Sequence, residues 1–382
     1  MKKINRKTIV ILAMAAVLLL VTVAAVILSG RRSGTYTGYE VVNETPRQDS
    51  NTVRYISYNG NHVIKYSRDG ASALSPEGTV LWNGSYEMNN PQIDVCGSYA
   101  VIADVGSNRL YVYNGSDSGT LMETVHPILQ ARVANQGAVA VLMENGDSNL
   151  VAMYNPYDPA NRLIYEVPTN ATADGFPVNI AISPDGKMLA TNFVNVSSGA
   201  VVSRVTFYNF DEYGKNVVDH IVSAKDFGEE LVAEIRYVSN STAYVLTEHG
   251  FTVFTGAQIP KEKYSVTIPE EIVSVIPASD KVGFVTLAQG SQEKYRLQIY
   301  SLASSDPQVD ETFSYDYESV KESGGEILFT AGTSCMILDS RGRKLFSEPM
   351  DTTVQYLFSL GQSGRYLMIT DSSLTIIRLI HE

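Results

Sequence analysis

Five histidines are the first residues to weigh for acid–base or metal chemistry. His62, His126, His220, His249 and His381 fall in separate stretches of the chain, and none has a partner ligand at a spacing that marks a metal site. His249, in Thr247-Glu248-His249-Gly250, reads as a hairpin residue. Ser291 and Lys294 match the S-x-x-K spacing of penicillin-recognising enzymes. That chemistry needs both residues on one helical turn, whereas these fall in a loop between two strands, so the match is read as chance. The chain contains no Walker A, HExxH, GxSxG or DxDxD motif, and no GxGxxG after a strand. No catalytic, cofactor-binding or metal residue is assigned.

One arrangement of polar residues could bind a ligand. Asp69, Asp104, Glu144, Asn192, Glu248, Gln289 and Asp371 each close the second strand of a four-strand group. If those groups are radial blades, the seven positions ring one face and suit cationic or hydrogen-bonding ligands. Turn chemistry is the plainer explanation, because Asp and Asn favour such corners. The single tryptophan, Trp82, sits beside a turn and reads as packing between blades, since carbohydrate platforms usually need several exposed aromatics.

The elements that would position these residues are short strands. From about residue 51 the chain runs in alternating or apolar stretches of five to eight residues, bounded by Gly, Asn, Asp, Ser or Pro. Charged residues make up only 18% and tyrosines number 23, a balance that favours strands over helices. Lys225–Arg236 has a mild helical look but carries Gly228 and β-branched residues, and is read as loop and strand.

The first strands of successive groups begin at 52, 92, 131, 178, 232, 272, 318 and 354, giving spacings of 40, 39, 47, 54, 40, 46 and 36. Periods of about 40 to 50 mark propeller blades, which bury both faces only by stacking around a ring. The last group supplies three strands, and Thr37–Glu44 is the candidate for its fourth, pairing the chain ends and removing a free edge. The expected fold is therefore an all-β propeller of eight blades. Seven is the alternative, because the seventh group opens on the weakly apolar YESVKE (Tyr317–Glu322).

Ile9–Leu28 is a run of 20 uncharged residues, long enough as a helix to cross the roughly 30 Å hydrocarbon core. Four basic residues precede it and two follow, so the positive-inside rule leaves the tail in the cytoplasm and the body outside. A cleaved signal peptide ending near Val23-Ala24-Ala25 is the rival reading; the apolar run is long for one and continues past Ala25. The expected organisation is a cytoplasmic tail (1–8), a single-pass transmembrane anchor (9–28), a stalk (29–36) and an extracytoplasmic propeller (37–382).

Residues 1–32 carry six basic groups and no acid, leaving 23 basic and 41 acidic groups, a net −18, in the body. Such a body repels nucleic acid, which is excluded as a partner. Cys96 and Cys335 lie far apart and read as free thiols.

The turn segments ALSPEGTVLWN (Ala73–Asn83) and MILDSRGRKLFS (Met336–Ser347) resemble those of quinoprotein-like propeller repeats, and IAISPDGKMLATN (Ile180–Asn192) resembles the first hairpin of WD40-like and TolB-type repeats. The whole layout resembles an uncharacterised bacterial family of signal-anchored propellers, domain of unknown function 5711. The resemblance implies the fold and a place at the cell membrane, and carries no residue with an assigned role. On this reading the protein is a non-enzymatic scaffold, or a module that binds a protein, peptide or other ligand outside the membrane. The alternatives are a hydrolase or lyase with a funnel active site, and a ligand sensor acting through a membrane partner.

Overall fold

The computed structural model describes residues 35–47 and 52–381, apart from Asp117, Asp147, Pro168, Asn170, Ala173, Ser198 and Ser363. The tail, the apolar segment and nearly all of the stalk lie outside the described residues. Among the described residues no helix is long and apolar enough to cross a membrane.

Among the described residues the strands form eight antiparallel four-stranded sheets, seven in simple sequence order. Their first strands are Arg54–Tyr58, Pro91–Cys96, Ile128–Val133, Phe176–Ile182, Val232–Ser239, Ile272–Pro277, Ser319–Ser323 and Tyr356–Ser359. These match the eight expected starts. Eight clusters of buried apolar side chains hold the ring together, one at each interface between neighbouring blades. Trp82, 4% exposed, lies in the cluster between blades 1 and 2, stacked on Tyr113 with ring centroids 4.3 Å apart.

The eighth sheet closes the ring. Gly38–Pro46 pairs antiparallel with the last strand, Ser373–Ile380, with Gly38 opposite Ile380 and Pro46 opposite Ser373. The unpaired edge of the last strand is covered by the chain's own beginning. The interface between blades 8 and 1 is built from Tyr55, Val63, Leu74, Phe358, Leu367, Ile369 and Leu374.

Strand direction defines two faces. One carries the second-to-third turns and the connectors between blades, and is called here the connector face. The other carries the remaining turns, and the chain's described N-terminus joins it: Tyr36 N–H donates to Leu345 O (2.8 Å), at the start of blade 7's fourth strand. It is called the stalk face.

Blade 7 shows why its first strand looked weak in sequence. Each first strand lies nearest the axis, where one edge of the sheet has no strand beside it. A polar stretch such as Ser319–Ser323 is tolerated there because it makes bonds across the blade boundary: Ser323 Oγ accepts from Ser359 N–H (3.0 Å).

Candidate ligand site on the connector face

That boundary bond recurs. Backbone N–H groups on the axial edge of a first strand need acceptors. Asp94 Oδ2 accepts from Val133 N–H (2.9 Å), Gln130 Oε1 from Ile180 N–H (2.8 Å), and Asn179 Oδ1 from Ile235 N–H (2.9 Å). In each case a polar side chain of one blade satisfies the next, so these residues staple neighbouring blades together around the axis. The only sequence signal for them is a polar residue in the middle of successive first strands, and it emerges only once the blades are aligned.

Charges gather at the same level. Arg132 Nη1 lies 3.4 Å from Asp94 Oδ1 and its Nη2 lies 3.5 Å from Glu234 Oε1, while Arg236 Nε sits 2.9 Å from the same Glu234 oxygen. Burial pushes the Asp94 carboxyl above its ordinary range, against the pull of Arg132 and the Val133 N–H. A small cavity of about 130 Å³ opens beside Asp94, Arg132 and Arg236.

The larger cavity, about 720 Å³, lies on the connector face where blades 8, 1 and 2 meet. Its wall comes from four places in the sequence: the start of blade 1 (Thr52, Val53, Arg54), its second-to-third turn (Tyr66, Ser67, Arg68, Asp69), the next connector (Asn89, Asn90, Pro91) and Tyr356. The connector is held firmly. Tyr86 N–H donates to Asp69 O (3.2 Å) and Met88 N–H to Arg68 O (2.9 Å). Asp104 Oδ1 accepts from both Asn89 N–H (2.9 Å) and Asn90 N–H (2.8 Å).

The seven expected ring residues fare unequally. Asp69 lines this cavity. Asp104 is 1% exposed, so it braces the connector behind the cavity wall and does not face solvent. Asp371 accepts from Gln355 Nε2, and Gln355 Oε1 in turn accepts from Arg47 Nη1 (2.6 Å). Glu144 and Gln289 are exposed on their blades.

Glu248 joins Glu230 and His249, with donor atoms all within 4.8 Å of one another. Glu230 lies nineteen residues before His249, which is why spacing alone missed the group. Its carboxylate pairs with His249 Nδ1 (3.1 Å) and raises that imidazole's pKa.

Asn192 is a correction. Blade 4's middle strands are ten residues each, Met188–Ser197 and Ala200–Asn209, so the turn falls beyond Ser197. Asn192 sits within the strand opposite Val205, 0% exposed, and belongs to no face. Among the described residues, none of the seven hydrogen-bonds or ion-pairs with another. The other six, Asn192 aside, mark one rim, and a cavity opens in its blade 1–2 sector. Ser291 and Lys294 also separate in function: Lys294 Nζ pairs with Asp316 and Ser291 Oγ caps Glu293 N–H (3.0 Å).

Residues 32–379 match a family described only as one of unknown function, DUF5711. The chain belongs to that family. No curated protein matches it. Among solved structures, this DUF5711 propeller is similar to a eukaryotic initiation factor, at 14% identity and TM-score 0.55, covering 90% of this chain and 86% of that one. It is also similar to Sqt1 of Saccharomyces cerevisiae, at 10% identity and TM-score 0.52, covering 91% of this chain and 100% of that one. A computationally designed protein, Ika8, matches at 9% identity and TM-score 0.51, again over 91% of this chain and 100% of that one. At these identities the likeness concerns the fold.

Proposed function

We propose that the protein is a binding module: an extracytoplasmic β-propeller, held at the cytoplasmic membrane by residues 9–28, that engages a ligand or partner through its connector face. The observation that carries this reading is the 720 Å³ cavity, rigidly walled by the Asp104-capped connector, on the face opposite the one the N-terminal strand starts from. A stalk leaving the stalk face would leave this cavity pointing away from the bilayer. Propeller faces suit such recognition, and the cavity volume falls within the range of small-molecule sites.

The test is cross-linking in intact cells, then affinity purification of the full-length chain. The control keeps residues 1–36 and carries an unrelated outer domain. A component recovered only with the native propeller, and lost when Asn90→Trp fills the cavity without lowering the melting temperature, supports the reading. Equal recovery with both chains refutes it.

A second reading, an enzyme working near the axis, is favoured by one observation: Asp94 and Glu234 converge on Arg132 beside an open cavity. If it holds, any hydrolytic activity found should fall at least a hundredfold in Asp94→Asn. An undiminished rate would remove Asp94 from the chemistry.

A further inference from the structure

The charge inside the large cavity runs against the charge of the body. Arg54 and Arg68 line it, and among the described residues Asp69 is the one carboxylate in its wall. The wall's described residues are therefore net positive, although residues 33–382 carry 41 acidic groups against 23 basic ones. Six arginines elsewhere in the ring, Arg132, Arg204, Arg236, Arg296, Arg343 and Arg378, sit in ion pairs with acids. The Arg54 and Arg68 guanidinium groups make no hydrogen bond or ion pair among the described residues. Two uncommitted guanidinium groups in one concavity of an acidic protein constitute a local inversion of sign.

We infer that this cavity takes a small anionic ligand, a molecule bearing a carboxylate or phosphate group, gripped by Arg54 and Arg68. The inference rests on the binding reading above and names the chemistry of its ligand. Guanidinium groups present planar forks that pair two-pronged with either anion. Asn89 and Asn90 border the same space, and their main chain is fixed by Asp104, so their side-chain amides are offered from a rigid support. Tyr66 and Tyr356 supply ring surface for the uncharged part of the ligand. A volume of about 720 Å³ admits a small molecule, and the surrounding negative body disfavours a long polyanion. The same negative body makes the contact local, so added salt weakens binding chiefly at these two arginines.

The alternative is a pair of solvated surface arginines, and calorimetry on the full-length chain in detergent separates the two. The probes are inorganic phosphate and glucuronate at low ionic strength, with neutral glucose as the uncharged control. The expected result is saturable binding of at least one anion, weakened tenfold or more by Arg54→Gln and by Arg68→Gln. Arg341→Gln, an exposed arginine on the stalk face, should leave it unchanged.

Binding of phosphate alone assigns a phosphate ligand, of glucuronate alone a carboxylate, and of both a site that reads charge. Binding of neither, or binding indifferent to both cavity substitutions, overturns the inference. The cellular capture experiment separates this failure from failure of the binding reading. If Asn90→Trp abolishes capture while Arg54→Gln and Arg68→Gln leave it intact, the cavity stands and its anionic ligand falls. If none of the three changes capture, both fall.

Discussion

Lys321 lies mid-way along the first strand of blade 7, with its ammonium 3.4 Å from the centroid of the Phe358 ring. Burial lowers its pKa to about 7, and the aromatic contact with blade 8 only partly offsets that cost. The sign follows from proton counts. Between pH 7 and the ordinary lysine range near 10.4, the unfolded chain holds a proton that the folded chain has released, so stability rises with pH across that window. Below pH 7 the folded chain must carry a desolvated charge. Lys321→Met should therefore stabilise the protein at neutral pH, by about 2 kcal/mol, and flatten the rise in melting temperature between pH 7 and 9. Thermal melts of both proteins over that range check it. A wild-type protein whose stability is level across the window would show that Lys321 is solvated. Neither this lysine nor the stapling residues Asp94, Gln130 and Asn179 is conspicuous in the sequence. A single polar residue in a strand looks like noise until the axis gives it a neighbour. The cavity is harder still to read, because its wall joins residues 52–54, 66–69, 89–91 and 356 through closure of the ring.

Strands and turns, by contrast, were legible because their causes are local. Alternating apolar residues bounded by Gly, Asn and Asp define each hairpin, and the eight first strands fall where the spacing put them. Asn192 was misplaced for an equally local reason: the stretch after it, FVNVSSGAVVS, keeps alternating, so the hairpin runs on past the length of its fellows. The closing strand is the one long-range pairing that sequence anticipated, and it carries a prediction of its own. Removing residues 1–46 would uncover the edge of Ser373–Ile380, a strand whose side chains are almost all buried. The truncated chain should melt at least 10 °C lower and associate through that edge. Calorimetry and light scattering check this. An unchanged melting temperature in a monomeric truncation would mean that ring closure adds nothing beyond the seven other blades.

At the scale of the whole molecule, the two faces differ in what can reach them. Gly38 begins the closing strand beside Ile380, on the stalk face, so a stalk of residues 29–36 would span roughly 25 Å at full extension. If residues 9–28 hold the chain in the membrane, the stalk face lies close to lipid and the connector face is open. The native thiols give little background, since burial pushes Cys96 up to about 11 and Cys335 up to about 12 and so keeps both protonated. Single cysteines can then report the orientation: Glu144→Cys on the connector face, Asn61→Cys in the first turn of blade 1 on the stalk face, both exposed positions. In intact cells a bulky, membrane-impermeant maleimide should label Glu144→Cys several-fold faster than Asn61→Cys. In detergent, where the bilayer no longer shields either position, the two rates should converge. Equal rates in cells would mean that the propeller tumbles free of the surface. Labelling of neither, despite reaction of both in detergent, would mean that the body is not outside the membrane, and the connector-face cavity would then have to find its ligand in the cytoplasm.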